Sequence, residues 1–171
     1  MKRITTSTFE TPCGLLHLGA TDEGLCHLGW SPMPDSRSSA FAIQDGMTPV
    51  LEQTCLQLSE YFQGRRQVFD LPLHFLLGTD FQRACWLSLA RIPYASTISY
   101  GQQARWIGRE KAVRAVGQAN HHNPIAIILP CHRVVGSNGA LVGYGGGLDK
   151  KRFLLEMEKN ILSQISQIAQ K

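Results

Sequence analysis

Residues 99–133 read SYGQQARWIGREKAVRAVGQANHHNPIAIILPCHR, and this stretch decides the fold of the C-terminal half. Ser99-Tyr100-Gly101-Gln102 has the S-x-x-Q form of a capping box, in which a serine and a glutamine side chain satisfy the free amides at a helix start. The pattern predicts a helix to about Ile107, broken by Gly108. A second helix is expected from Glu110 to Asn120, stopping before Asn123-Pro124. Two short helices around a tight glycine turn make a helix-turn-helix. Ile125–Leu129 then reads as a buried apolar strand that delivers Pro130-Cys131-His132-Arg133.

Working outward, Phe81, Cys85, Leu89 and Ile92 share a helical face, with Thr79 or Asp80 as N-cap and Pro93 closing the element. Downstream lies a glycine-rich loop, Gly143–Gly147. It lacks the G-K-[ST] that would make it a phosphate loop. Asp149 is expected to cap a last helix with Phe153, Met157, Ile161, Ile165 and Ile168 on its apolar face. The N-terminal part reads as antiparallel strands at Ile4–Phe9, Leu15–Ala20 and Leu25–Trp30, the last two joined by a turn at Thr21–Gly24. Pro32, Pro34, Asp35 and a serine cluster mark a loop. Leu51, Cys55, Leu58 and Phe62 repeat at helical spacing before Gly64, and Gln67–Leu71 is a candidate edge strand. The expected class is α/β. Residues 1–78 would form a small antiparallel-sheet α/β domain and residues 79–171 a mostly helical domain.

The chain has 171 residues, 43% hydrophobic and 18% charged, enough apolar material for a core and too much for wholesale disorder. No apolar run approaches the ~18 residues that span a bilayer. The opening MKRITTSTFE lacks the apolar centre of a secretory signal, so the expected setting is cytoplasmic, away from membranes. The net charge of +4 is uneven: residues 1–80 hold 5 Lys/Arg against 9 Asp/Glu, residues 81–171 hold 12 against 4. A basic half beside an acidic one points to a polyanion, with nucleic acid foremost. Five widely spaced cysteines without a C-x-x-C pair fit a reducing compartment. Most such thiols are small buried hydrophobes. Cys131 differs, because it is followed by a base and a cation, the groups that favour a reactive thiolate.

The motif Pro130-Cys131-His132-Arg133, with Lys111-Ala112-Val113-Arg114-Ala115-Val116-Gly117, Asn123-Pro124 and Gly143-Tyr144-x-Gly-Gly, makes residues 79–158 resemble the catalytic domain of the O6-alkylguanine-DNA alkyltransferases. The block from Thr79-x-Phe81-Gln82 through Trp86 to Ile92-Pro93 matches too. The N-terminal part is similar more loosely, through Thr11-Pro12-x-Gly14-x-Leu16, to the family's ribonuclease H-like domain.

The resemblance implies direct repair of double-stranded DNA by a suicide methyltransferase. An alkyl group passes irreversibly from O6 of guanine to Cys131, once per molecule. O4 of thymine is a second acceptor position left open. The lesion is unreachable inside a stacked duplex, so the base must be flipped out. By resemblance Arg114 fills the gap, from a helix whose Val113, Ala115, Gly117 and Gln118 lie in the minor groove. Glu158 orients His132, which acts on the thiol through a water. Asn123 ties the recognition helix to the nucleophile, and Tyr100 donates a proton to guanine N3. Val134, Tyr144, Gly145 and Gly146 belong to the base pocket, the carbonyls of Cys131 and Val134 facing the exocyclic amine. No cofactor is implied, and the protein would act as a monomer. Cys13, His17, Cys26, His27 and His74 do not reproduce the family's zinc spacing, so no metal is expected. Two other readings stay open: a damage-binding protein that flips the base without chemistry, and a DNA-binding regulator with a redox cysteine.

Overall fold

The computed structural model describes residues 2–35 and 39–170. The chain divides into two units. The first runs to Thr79 and takes in Pro124–Ile128. The second holds Asp80–Asn123 together with the chain from Leu129 onward.

In the first unit, β1 (Arg3–Thr11), β2 (Gly14–Thr21), β3 (Gly24–Gly29) and β4 (Ala42–Asp45) form one sheet in the order β3-β2-β1-β4. The first three are antiparallel, as their alternating pattern predicts, with Thr5 opposite Ala20 and His17 opposite Gly29. β4 departs from the sequence expectation. It pairs parallel to β1, Arg3 against Ala42, which makes the sheet mixed. Its four residues are all exposed, so it carries no inside–outside alternation. The serine cluster of the preceding loop, at 36–38, lies outside the described residues.

Helix α1 (Pro49–Phe62) packs on this sheet through Leu51, Thr54, Leu58 and Tyr61. Thr48 caps it by accepting from the Leu51 amide, Pro49 opens it, and Gly64 at φ 77 ends it. The expected strand at Gln67–Leu71 is absent. Instead the Leu25 amide donates to Pro72 O at 2.8 Å and the His74 amide to Leu25 O at 2.8 Å, a single parallel bridge centred on Leu73. Pro72 has no amide to give a longer ladder. This approach demands glycine at position 24, where a Cβ would stand 2.6 Å from Pro72 O.

Pro124–Ile128 is likewise a bridge and not the expected strand. Leu28 donates to Pro124 O at 2.9 Å and accepts from Ala126 N at 2.8 Å. Ile127 then turns the chain in the left-handed region, φ 70, so no extended run can continue. The two bridges cover the outer edge of β3, a row of groups otherwise open to pairing with another chain.

The second unit is built on α2 (Asp80–Leu89), α3 (Tyr100–Trp106) and α4 (Val113–His121). Cys85, Ala104, Val116 and Ala119 form their common core, small residues that let three short helices approach closely. A buried amide pair sets the helix-turn-helix angle. Gln103 Nε2 donates to Asn120 Oδ1 at 3.1 Å, and Asn120 Nδ2 returns to Gln103 Oε1 at 2.7 Å. Ser99 caps α3 by accepting from Gln102 N at 3.1 Å. The other half of the capping box is not made, because the Gln102 carbonyl accepts from Arg105 Nη2 at 2.6 Å. Gly108 ends the turn after α3 at φ 72, but α4 starts at Val113, three residues later than expected.

A two-residue parallel ladder joins β5 (Ile98–Ser99) to β6 (Val134–Val135). The last helix, α5, spans Leu148–Ala169. Its N-cap is Gly147 at φ 99, without a side-chain cap, so Asp149 sits inside the first turn and not at the cap. The buried face of α5 is also not the predicted one. Lys151, Leu154 and Glu158 are buried, while Ile165 and Ile168 are 42% and 72% exposed. Among the described residues, no helix is long and apolar enough to cross a membrane.

Candidate active site and nucleic-acid interface

After Pro130 the chain makes one 3-10 turn, Cys131–Arg133, and enters β6. The β5–β6 ladder sets Ile98 against Val134, so the start of α3, with Tyr100, lies beside the turn that carries Cys131. Cys131, Tyr100, Tyr144, Gly117, Asn120, His121, Gly143 and Gly145 line one cavity of about 40 Å³. Val134 and Gly146 are not among the lining residues.

Cys131 is half-buried. Its burial pushes the thiol above its ordinary range, and the Asn123 side chain and the Lys151 charge pull it back. Asn123 Nδ2 also donates to Leu129 O at 2.8 Å, which fastens the end of the α4 segment to the residues just before Cys131.

Behind Cys131 sits a closed polar cluster. His132 and Glu158 are wholly buried, 2.8 Å apart between Nε2 and Oε2. Burial alone would raise the Glu158 carboxyl, but hydrogen bonds and charge from His132 and Arg133 outweigh it and bring the group down to about 2. It is therefore a carboxylate, an acceptor only, and His132 Nε2 is the donor. His132 Nδ1 has no hydrogen-bond partner among the described residues. Burial holds the imidazole below 6.5 against the opposite pull of Glu158. Arg133 grips Glu158 twice, Nε to Oε1 at 2.9 Å and Nη2 to Oε2 at 3.0 Å. The Ala95 amide adds a bond to Oε1 at 3.2 Å.

Lys151 is fully buried and spends its three protons on the carbonyls of Val134, Val142 and Gly143, at 2.6, 3.0 and 3.1 Å. The Val134 carbonyl, expected to face the base, is thus already engaged. The Tyr100 hydroxyl donates to Val142 O at 3.0 Å. Burial, and secondarily the nearby Cys131, raise its pKa, so it stays a neutral phenol. On the outer side of α4, Arg114, Val113, Gly117 and Gln118 line an open groove of about 600 Å³ with Lys111 and Tyr100. Ala115 is not in that lining. Among the described residues no three His, Cys, Asp or Glu side chains converge as a metal site.

Residues 80–160 match the model of the 6-O-methylguanine DNA methyltransferase DNA binding domain, and residues 4–75 match that of its ribonuclease-like domain. The methylated-DNA–protein-cysteine methyltransferase of Mycobacterium bovis is 58% identical over 165 residues, covering 90% of this chain and 91% of that protein. This chain belongs to the 6-O-methylguanine DNA methyltransferase family. The Methanosarcina barkeri methyltransferase is 44% identical over 153 residues, covering 90% of this chain and 96% of its own length. A crystal structure of Mycobacterium tuberculosis OGT in complex with DNA superposes with a TM-score of 0.81 at 43% identity, over 93% of this chain and 94% of that one.

Within this methyltransferase frame, the fold brings Cys131, His132, Glu158, Asn123, Tyr100 and Tyr144 together. Lys151 escapes the sequence reading, and Arg133 and His121 are placed otherwise than that reading expects. Lys151 lies seven residues before Glu158, two helical turns on the same face, and that polar pair on a buried stripe is the available signal. Arg133, expected only as a cation favouring the thiolate, spends its guanidinium on Glu158 and Ile92 O. His121, at the end of α4, where a place beside the recognition helix points to phosphate contact, lines the cavity instead.

Proposed function

We infer that this chain repairs alkylated DNA by transferring the alkyl group from O6 of guanine to its own Cys131. The observation that carries this reading is the cluster in which a buried His132 donates to Glu158 through Nε2 and keeps Nδ1 free, next to a thiol that opens on a cavity. An imidazole oriented by a carboxylate is a general base with its proton-accepting nitrogen fixed.

In the reaction, the Sγ–C bond forms as the C–O6 bond breaks. The thiol proton passes to His132 Nδ1 through one water. The departing guanine takes a proton at N3 from Tyr100, which regains one from solvent, so a neutral base leaves. The thioether has no second thiol to resolve it, and the protein acts once. Duplex DNA meets α4 in the minor groove. Arg114 enters the stack as the base swings out, and Val113, Ala115, Gly117 and Gln118 bring the helix close to the groove walls. A cavity of about 40 Å³ holds a few waters and no purine ring, so the Gly143–Gly147 loop opens to admit the base. Tyr144, Gly145 and Gly146 then bound it. The chemistry needs a free thiol, which suits the reducing cytoplasm.

The test is the intact mass after incubation with DNA containing O6-methylguanine. One CH2 unit should be gained, at Cys131, and no more with excess substrate. Cys131→Ser should bind DNA without gaining mass. Turnover beyond one equivalent, or a label on Cys85, would rule the reading out.

A further inference from the structure

The Glu158 carboxylate accepts from His132 Nε2, Arg133 Nε, Arg133 Nη2 and the Ala95 amide. Arg133 is itself fixed on three sides. Its third arm, Nη1, donates to Ile92 O at 2.9 Å, and its Cζ lies 5.6 Å from the Tyr94 ring centre. A carboxylate facing an imidazole alone would put its whole negative charge on that ring and draw a proton to it. Here the bidentate guanidinium spans both carboxylate oxygens, and the carboxylate–guanidinium pair is neutral as a unit.

We propose that Arg133 is a positioning residue of the transfer reaction: it aims Glu158 at His132 and offsets the negative charge that would otherwise hold a resting proton on the imidazole. The inference rests on Cys131 being the acceptor, because only a neutral His132 can take the thiol proton. The charged and titratable groups around His132 are Glu158 and Lys151 from α5, Arg133 and Cys131 from its own turn, and Tyr94 beside the pair. Arg133 and Lys151 both act with burial against a charged imidazole, and only Glu158 acts for it. A doubly protonated ring would leave two uncompensated cations, itself and Lys151, in a closed site.

The test compares wild type, Arg133→Met and Arg133→Lys, by ¹⁵N NMR titration of His132 and by the pH dependence of alkyl transfer from O6-methylguanine DNA. In wild type the ring should be neutral at pH 7, protonated at Nε2. In Arg133→Met the His132 titration and the acid limb of the rate profile should move to higher pH together, by about one to three pH units. Arg133→Lys retains the charge, so its limb should stay near the wild-type position. Unmoved curves in a folded Arg133→Met overturn the proposal, as does an equal displacement in Arg133→Lys. If Arg133→Met does not fold, the wild-type spectrum decides, because a ring protonated on both nitrogens at pH 7 refutes the proposal. A wild type that accepts no alkyl group counts against the transfer reading instead, and the His132 titration still judges Arg133.

Discussion

The ammonium of Lys151 lies 2.6 Å from the main-chain oxygen of Val134, inside the protein and closed to solvent. Its other two protons hold Val142 and Gly143, so one side chain pins both ends of the segment between the Cys131–Arg133 turn and the glycine loop. Its charge also opposes the burial that makes the Cys131 thiol reluctant to ionise. Lys151→Met should therefore raise the thiol pKa and slow transfer by about 10- to 100-fold. Iodoacetamide labelling of Cys131 against pH would show the ionisation curve displaced to the alkaline side.

Arg114 stands exposed on α4, in the open groove and away from the cavity that holds Cys131. Arg114→Ala should cripple repair of duplex DNA while leaving reaction with a free O6-alkylguanine base within about twofold, since a free base needs no flipping. Binding to undamaged duplex should weaken with salt and lose part of that dependence in the variant. Parallel measurements on both substrates would separate flipping from chemistry, and equal losses would remove Arg114 from the flipping role.

Acid should destabilise the second unit through Glu158 and His132. The Glu158 carboxyl titrates near 4.5 when unfolded and near 2 when folded. Its contribution, about 3 kcal/mol, is complete above pH 4.5 and lost as pH falls toward 2. His132, held below 6.5, acts with the same sign from that pH downward, because the unfolded chain takes up its proton first. Urea unfolding at a series of pH values should show stability falling from about pH 6.5. Glu158→Gln should be less stable at pH 7 and flatter below pH 4.5.

Ala95 occupies the left-handed region at φ 60, where a Cβ crowds the following carbonyl. The strain is tolerated because it points the Ala95 amide at Glu158. Ala95→Gly keeps that amide and removes the crowding, so thermal unfolding should rise by the equivalent of about 0.5–1 kcal/mol. A lower melting temperature would show that the backbone is not strained there.

The span of α3 and the end of α4 are legible because local signals mark them: Ser99 at a cap, Gly108 at a break, Asn123-Pro124 at an end. Cys131 and its motif are legible for a different reason, since a thiol followed by a base and a cation stands apart from the other four cysteines. Three features cannot be read. β4 is fully exposed, so no alternation marks it, and only pairing with β1 makes it a strand. Ile125–Leu129 is apolar enough for a strand, yet Ile127 turns back in the left-handed region, against the preference of a β-branched residue. Along α5 the isoleucines suggest the wrong face. Lys151 and Glu158 are buried because tertiary carbonyls and Arg133 satisfy them, and such partners are distant in sequence.

The return of Pro124–Ile128 to Leu28 also bears on how the protein is made. Chains leave the ribosome N-terminus first, at roughly 5–20 residues per second, and N-terminal domains generally fold before later ones are synthesised. Here the outer edge of β3 waits for a segment translated after the whole of α4. For several seconds the nascent sheet carries an unfilled place beside Leu28, and the piece that fills it comes just before Cys131. Cys131 is thus delivered only as the first unit is completed.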